Sequence, residues 1–305
     1  TMWKSKSRHG GDIYGQNVKI DFSVNINPLG IPESVKEVLK NNIDCVEHYP
    51  DLECRALREA LALRRKIPAQ EILCGNGASE LFELIVQALQ PKKALVLAPS
   101  FSGYEKALRS VGTEPEYFYL RKVEQFVLTE DVMRVLHSDL DMVFLCNPNN
   151  PVGNTINQAL LEDIAVYCQT HAIYLVLDEC FLELVRGGEM RSMVPALARN
   201  PYLIIVSAFT KVYAMLGLRL GYAMSSDPEL LAKMKAVQAE WSVSVPAQLA
   251  GIKALQEDAY VRRAVALLDR ERKYCTEMLV GMGFRVYNSE TNFILFESER
   301  ELYEP

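Results

Sequence analysis

The sequence lacks most of the features that place a chain in a class at a glance. It has no CxxC pair and no Cys/His cluster; Cys45, Cys54, Cys74, Cys146, Cys168, Cys180 and Cys275 are scattered, odd in number and mostly inside apolar segments. That distribution argues against a disulfide framework and a zinc site, and for reduced core thiols. No apolar run approaches the ~18 residues a membrane span needs, and no basic stretch leads into a long apolar one. Positive charge is in deficit: 33 Lys and Arg against 39 Asp and Glu leave a net charge of -6. That sign suits neither a general nucleic-acid binder nor an anionic membrane binder, and leaves room only for local basic sites that take small anions. Internal repeats and low-complexity tracts are missing as well. The expectation is a cytoplasmic protein with no metal, nucleic-acid or membrane partner.

What is present is core material: 305 residues, 49% hydrophobic and 24% charged, enough for one large domain and a smaller one. Short apolar runs alternate with amphipathic stretches of helical length. Ala94 to Ala98, Met142 to Cys146, Ile173 to Leu177 and Tyr202 to Val206 read as buried strands, with Gly221 to Met224 a further one. Between them Leu81 to Leu89, Tyr104 to Ser110, Thr129 to Leu136 and Leu160 to Thr170 read as helices. The alternation predicts an α/β domain with a mostly parallel sheet. After about residue 228 the pattern turns to helices, from Pro228 to Ala239, Pro246 to Gln256 and Ala259 to Gly281, followed by short strands near Phe284 to Val286 and Asn292 to Phe296. The expected division is a large domain over 45–240 and a small α+β domain from 1–44 and 241–305, incomplete at its C-terminal side.

In an open α/β sheet the ligand crevice lies beyond the carboxyl ends of the strands. Four chemically distinct groups follow strands here: Phe101 after Ala98, the Asn147-Pro148-Asn149-Asn150-Pro151 turn after Cys146, Asp178 after Leu177, and Lys211 after Val206. Singly each has an ordinary reading as a turn, an N-cap or a solvated amine. Together they set an amide, a carboxylate, an amine and an aromatic ring at one edge of one sheet. Gly75-Asn76-Gly77-Ala78-Ser79 runs into the helix from Leu81 without Walker A or GxGxxG spacing, yet glycines before a helix N-terminus suit a phosphate. A lysine, an aspartate, an arginine and a phosphate nest together describe a site for pyridoxal phosphate (PLP) held as a Schiff base.

Asn150-Pro151-Val152-Gly153, Asp178-Glu179-Cys180-Phe181 and Thr210-Lys211 followed by Gly217-Leu218-Arg219-Leu220-Gly221-Tyr222 resemble, in order and spacing, the PLP enzymes of the aspartate aminotransferase fold (fold type I, class I/II aminotransferases). The similarity runs from about His9 to Phe296. It implies the PLP-dependent transferase fold: a large domain whose central sheet carries helices on both faces, a smaller α+β domain, and a homodimer. His9-Gly10-Gly11-Asp12-Ile13, Asp21 to Gly30, Glu47-His48-Tyr49-Pro50-Asp51, Phe181 and Ala208 to Ala214 resemble the threonine-phosphate decarboxylase branch of that family, with histidinol-phosphate aminotransferases the next branch.

The resemblance implies roles residue by residue. Lys211 carries the cofactor and moves protons at the substrate Cα, and Asp178 keeps the ring nitrogen protonated. Asn150 bonds the ring O3′, with a cis bond to Pro151, and Phe101 stacks on the ring. Gly77, Ala78, Thr210 and Arg219 hold the phosphate, with Tyr49 reaching in from a second subunit. His9, Gly10, Asn27 and Asn150 match positions on the substrate side. Phe181 replaces a tyrosine that bonds O3′ in many aminotransferases. The family's carboxylate-binding arginines lie near its C-terminus, and none is named here.

The same residues serve two reactions, because the Cα bond held perpendicular to the ring is the one that breaks. Decarboxylation of O-phospho-L-threonine to (R)-1-aminopropan-2-yl phosphate, a step of cobalamin biosynthesis, is the leading expectation. Transamination of histidinol phosphate or a related amino acid with 2-oxoglutarate is the alternative. A non-catalytic PLP-binding module is a third reading, disfavoured by the negative charge and by the lack of a helix-turn-helix pattern before residue 9.

Overall fold

The computed structural model describes residues 10, 11, 13, 14, 17–299 and 302. Helices α1 (Glu33–Asn41) and α2 (Arg55–Arg65) precede strand β1 (Ile72–Gly75). Then come α3 (Ala78–Leu89), β2 (Ala94–Ala98), α4 (Gly103–Ser110), β3 (Glu116–Tyr119), β4 (Met142–Cys146), α5 (Gln158–Thr170), β5 (Tyr174–Asp178), β6 (Leu203–Ala208), the one-turn α6 (Phe209–Val212) and β7 (Gly221–Met224). Helices α7 (Pro228–Val237), α8 (Val245–Ala254) and α9 (Asp258–Gly281) lead to the two-residue strands β8 (Arg285–Val286) and β9 (Phe296–Glu297), which pair antiparallel.

The seven longer strands form one sheet in the order β1-β7-β6-β5-β4-β2-β3. Side chains of a strand alternate between faces, and the two cores follow that alternation. Leu95, Leu97, Val143, Leu145, Leu175, Leu177, Leu203 and Ile205 join one cluster with α2, α5 and α8. Val96, Met142, Phe144, Val176, Ile204 and Val206 join the other with α3, α4 and α7. Burial on both faces is why these strands read as unbroken apolar runs.

Strand β7 is antiparallel to both neighbours, while the other pairings are parallel. The reversal brings the start of β7 to the edge where the others end. Register places Cys146 beside Asp178, Ala208 beside Gly221, and Gly75 on the other side of Gly221. The residues that follow β4, β5 and β6 and those that precede β7 therefore share one rim.

Five elements differ from expectation. Strands β1 and β3 were not anticipated; each pairs on one side only. Strand β3 exposes Glu116 and Tyr119 and carries no unbroken apolar run, while the apolar run of β1 is only three residues, Ile72 to Cys74, before Gly75. Thr129 to Leu136 is a 3-10 turn over Glu130–Arg134 instead of an α-helix. The Val135 amide bonds the Val132 carbonyl three residues back, with Asp131 drawn to Arg121 and Arg134. Helices α1 and α2 were not anticipated either; both pack on α8. No helix among the described residues is long and apolar enough to cross a membrane.

Candidate active site

At the shared rim lies a cavity of about 520 Å³ lined by Ala78, Phe101, Asn150, Asp178, Thr210, Lys211 and Arg219. They arrive from several different elements. Asp178 is the last residue of β5, Lys211 sits in the turn of helix that continues β6, Asn150 follows β4 in a loop with cis bonds at Pro148 and Pro151, and Phe101 follows β2. The fold thus brings together the amide, carboxylate, amine and ring that the sequence set after four strands.

Asp178 is buried at the cavity floor. Its Oδ2 accepts from the Tyr104 hydroxyl at 2.6 Å and its Oδ1 from the Cys180 amide at 2.9 Å. Burial pushes its carboxyl above the usual range, while those bonds and the Lys211 amine pull the other way. Burial likewise lowers the Lys211 ammonium, helped by Arg219 and opposed by Asp178. The Lys211 Nζ stands 5.9 Å from the centre of the Phe181 ring, which is braced edge-on by Phe293 at 5.1 Å. The thiols of Cys146 and Cys180 beside Asp178 are pushed up by burial and stay protonated, so neither is a nucleophile.

The rim over α3 is built for an anion. Helices α5, α7 and α8 are capped by the side chains of Asn157, Asp227 and Ser244, while α3, like α1, α2, α4, α6 and α9, has no side-chain cap. Helix α3 begins at Gly77 with no side-chain cap, which leaves its first amides for a ligand. Gly77 has φ +81°, and a Cβ placed on it would stand 2.5 Å from Arg219 Nη2. The backbone and the guanidinium thus close on each other around a space that only glycine keeps open. An uncapped helix start, a guanidinium and the Thr210 side chain on one flank, with a buried carboxylate and a desolvated amine across the cavity, fit the phosphate, ring nitrogen and aldehyde carbon of PLP. The donor set matches the cofactor that the sequence points to.

Other predicted residues lie elsewhere or at the margin. Gly10 lines the cavity with Gly11, Ser23, Val24 and Asn25, forming one wall from the N-terminal segment; His9 falls outside the described residues. Asn27 does not line the cavity. Its side chain is 1% exposed, donates to the Val212 carbonyl at 2.8 Å and accepts from the Leu29 amide at 3.0 Å, so both ends of the amide are engaged by backbone. Tyr49 is 79% exposed and packs at a tilt against Trp241, ring centres 4.5 Å apart, and is not part of the cavity lining. Glu179 turns away from Asp178, accepting from the Ser192 hydroxyl at 2.6 Å and the Met193 amide at 2.9 Å.

The sequence reading passed over several residues that the fold brings in. Ser23, Asn25, Ser79, Ser100 and Ser102 put hydroxyls and an amide on the lining, and Tyr104 reaches Asp178 from below. Ser100 and Tyr104 carry a usable signal, since one lies two residues after the end of β2 and the other three residues beyond Phe101. Ser23 and Asn25 carry none, because their approach depends on how an irregular segment folds back.

A family model described as aminotransferase class I and II matches residues 17–302. The threonine-phosphate decarboxylase of Salmonella typhimurium is 38% identical over 304 residues, covering 97% of this chain and 83% of that protein. A histidinol-phosphate aminotransferase of Geobacillus thermodenitrificans is 30% identical over 290 residues, covering 93% of this chain and 77% of that one. Among solved structures, the histidinol-phosphate aminotransferase of Clostridium acetobutylicum superposes with a TM-score of 0.84 at 32% identity, covering 91% of this chain and 82% of that one.

Proposed function

The chain belongs to the class I and II aminotransferases, a family of PLP-dependent enzymes, and from that premise we propose that it decarboxylates O-phospho-L-threonine to (R)-1-aminopropan-2-yl phosphate. The observation that carries this reading is the cavity wall made by Gly10, Gly11, Ser23, Val24 and Asn25. These residues belong to the two N-terminal segments that resemble the decarboxylase branch, and they face the same space as Lys211. The 38% identity to the Salmonella typhimurium decarboxylase supports it.

When bound, PLP supplies an electron sink for the pair released at the substrate Cα. This chain's residues do the rest. Gly77, Ala78, Thr210 and Arg219 would hold the phosphate; Phe101 would cover the ring; Asn150 would bond O3′ without help from Phe181, which has no hydroxyl; Asp178 would keep the ring nitrogen protonated. Lys211, lowered by burial, is the group that returns a proton to Cα after the carboxylate leaves. Which bond at Cα breaks depends on how the wall from Gly10 to Asn25 orients the substrate.

Purified protein with PLP and O-phospho-L-threonine is expected to release carbon dioxide with no amino acceptor present. Absence of carbon dioxide, with glutamate formed from histidinol phosphate and 2-oxoglutarate, would overturn the reading in favour of transamination. That second reading has its own support in the likeness to the Clostridium acetobutylicum aminotransferase. A homodimer is part of the proposal: exposed Tyr49 and half-exposed Trp241 form a tilted aromatic pair suited to the cofactor-phosphate rim of a second copy. Light scattering is expected to give twice the chain mass.

A further inference from the structure

Beneath the cavity floor lies a group that the proposed chemistry does not use directly. Tyr104 sits on α4, three residues beyond Phe101, and is 0% exposed. Its ring is stacked on Phe144 at 5.1 Å and meets Phe82 and Phe101 edge-on at 5.0 and 5.5 Å. Phenylalanine would fill that aromatic cage equally well. A hydroxyl at this depth is costly unless bonded, and this one donates to Asp178 Oδ2 at 2.6 Å.

We propose that Tyr104 is a positioning residue for the cofactor ring, acting through Asp178 by donating its phenol proton to one carboxylate oxygen. The Cys180 amide holds the other oxygen. Two donors from two elements fix the plane of the carboxylate, and a carboxylate that accepts on both oxygens is favoured in its charged form. The groups facing it are Tyr104, Cys146, Cys180 and Lys211. Burial and the neighbouring charge push the phenol and both thiols up, so Tyr104 remains a donor and Lys211 is the one cation among the four. The cage fixes where the hydroxyl stands, the hydroxyl fixes the carboxylate, and the carboxylate meets the ring nitrogen. Phe101, the face that covers the ring, belongs to the same cage, so stacking and charge pairing are set by one rigid cluster.

The inference rests on the assignment of Asp178 to the ring nitrogen, and its test needs no substrate. PLP-loaded Tyr104→Phe, Asp178→Asn, the double variant and Phe144→Leu are compared for cofactor dissociation constant and for the pH midpoint of the bound cofactor's absorbance change. Tyr104→Phe is expected to fold, to bind cofactor about three- to tenfold more weakly, and to move the midpoint by about half a unit or more in the direction that Asp178→Asn moves it. The double variant is expected to match Asp178→Asn alone, since the phenol acts through that carboxylate. Phe144→Leu loosens the cage but keeps the hydroxyl, and is expected to lower thermal stability and to move the midpoint by less than Tyr104→Phe does. The proposal is overturned if Tyr104→Phe changes neither quantity while Asp178→Asn changes both, if the two effects add, or if Phe144→Leu moves the midpoint as far as Tyr104→Phe. Should Asp178→Asn itself change nothing, the ring-nitrogen assignment falls and this inference with it.

Discussion

The backbone amide of Asn27 donates to the carbonyl of Lys211 at 3.2 Å, and its side chain donates to the next carbonyl, that of Val212, at 2.8 Å. The N-terminal segment therefore grips the lysine's own turn of helix from outside the cavity. A residue placed by resemblance on the substrate side is built into the support of the lysine.

Asn27→Ala removes two side-chain hydrogen bonds at a buried position and leaves the Val212 carbonyl and the Leu29 amide unpaired. The expected cost is about 2 to 3 kcal/mol in denaturant unfolding. Turnover is expected to fall through kcat, with KM little changed. A substrate contact would show the opposite: a raised KM at unaltered stability.

Gly77→Ala separates backbone strain from the cofactor cradle. At φ +81° an alanine is strained by about 1 to 3 kcal/mol, and its Cβ would also stand 2.5 Å from Arg219 Nη2. Cofactor affinity is expected to fall by about tenfold or more, because the guanidinium must leave the phosphate position. Gly112 is the control: φ is +82° there and nothing lies within 4 Å of a built Cβ. Gly112→Ala is expected to lower stability and leave cofactor binding, followed by absorbance titration, unchanged.

The legible parts of this fold are those where burial leaves no choice of residue. Strands β2, β4, β5 and β6 are apolar on both faces, so each announces itself, and whatever polar group follows one of them stands out as Lys211, Asp178 and Asn150 do. Strands β1 and β3 lie at the sheet edges: β3 is not compelled to be apolar throughout, and the apolar run of β1 is too short, Ile72 to Cys74, to stand out from its surroundings. The Tyr104 to Asp178 bond spans 74 positions in sequence, and no local pattern tells a tyrosine facing a carboxylate from one facing leucines. Asn27 is ambiguous for a related reason: a buried amide suits a ligand and a backbone carbonyl equally, and only the path of the chain decides between them.

Lys211 makes the cofactor-free protein less stable at neutral pH. Burial lowers its folded value below that of the unfolded chain, where an ordinary amine titrates at ~10.4. Between the lowered value and ~10.4 the unfolded chain holds more protons, so stability climbs as pH rises through that window. Cofactor-free Lys211→Met is therefore expected to melt higher than the parent near pH 7, with the gap closing as pH approaches ~10.4. With PLP added, the variant is expected to lose the cofactor on dialysis.

Glu179 sets a different pH dependence beside the same strand end. Its carboxyl is buried and pushed up to about 7, with the Ser192 hydroxyl, the Met193 amide and Arg65 lowering it and Glu183 raising it. An unfolded glutamate titrates at ~4.3, so from ~4.3 to about 7 the folded protein holds the extra proton and stability falls as pH rises. Glutamine keeps an oxygen for the Met193 amide and cannot ionise. The stability of Glu179→Gln minus that of the parent is thus expected to grow in favour of the variant as pH rises across that window, and to level off above about pH 8. A flat difference from pH 4 to pH 9 would mean that Glu179 carries the same charge in both states throughout. Because the Glu179 side chain is bonded to Ser192 and Met193, away from Asp178, the pH midpoint of the bound cofactor's absorbance is expected to stay where it is. That separates a carboxylate that tunes the stability of the scaffold from its neighbour that faces the cofactor ring.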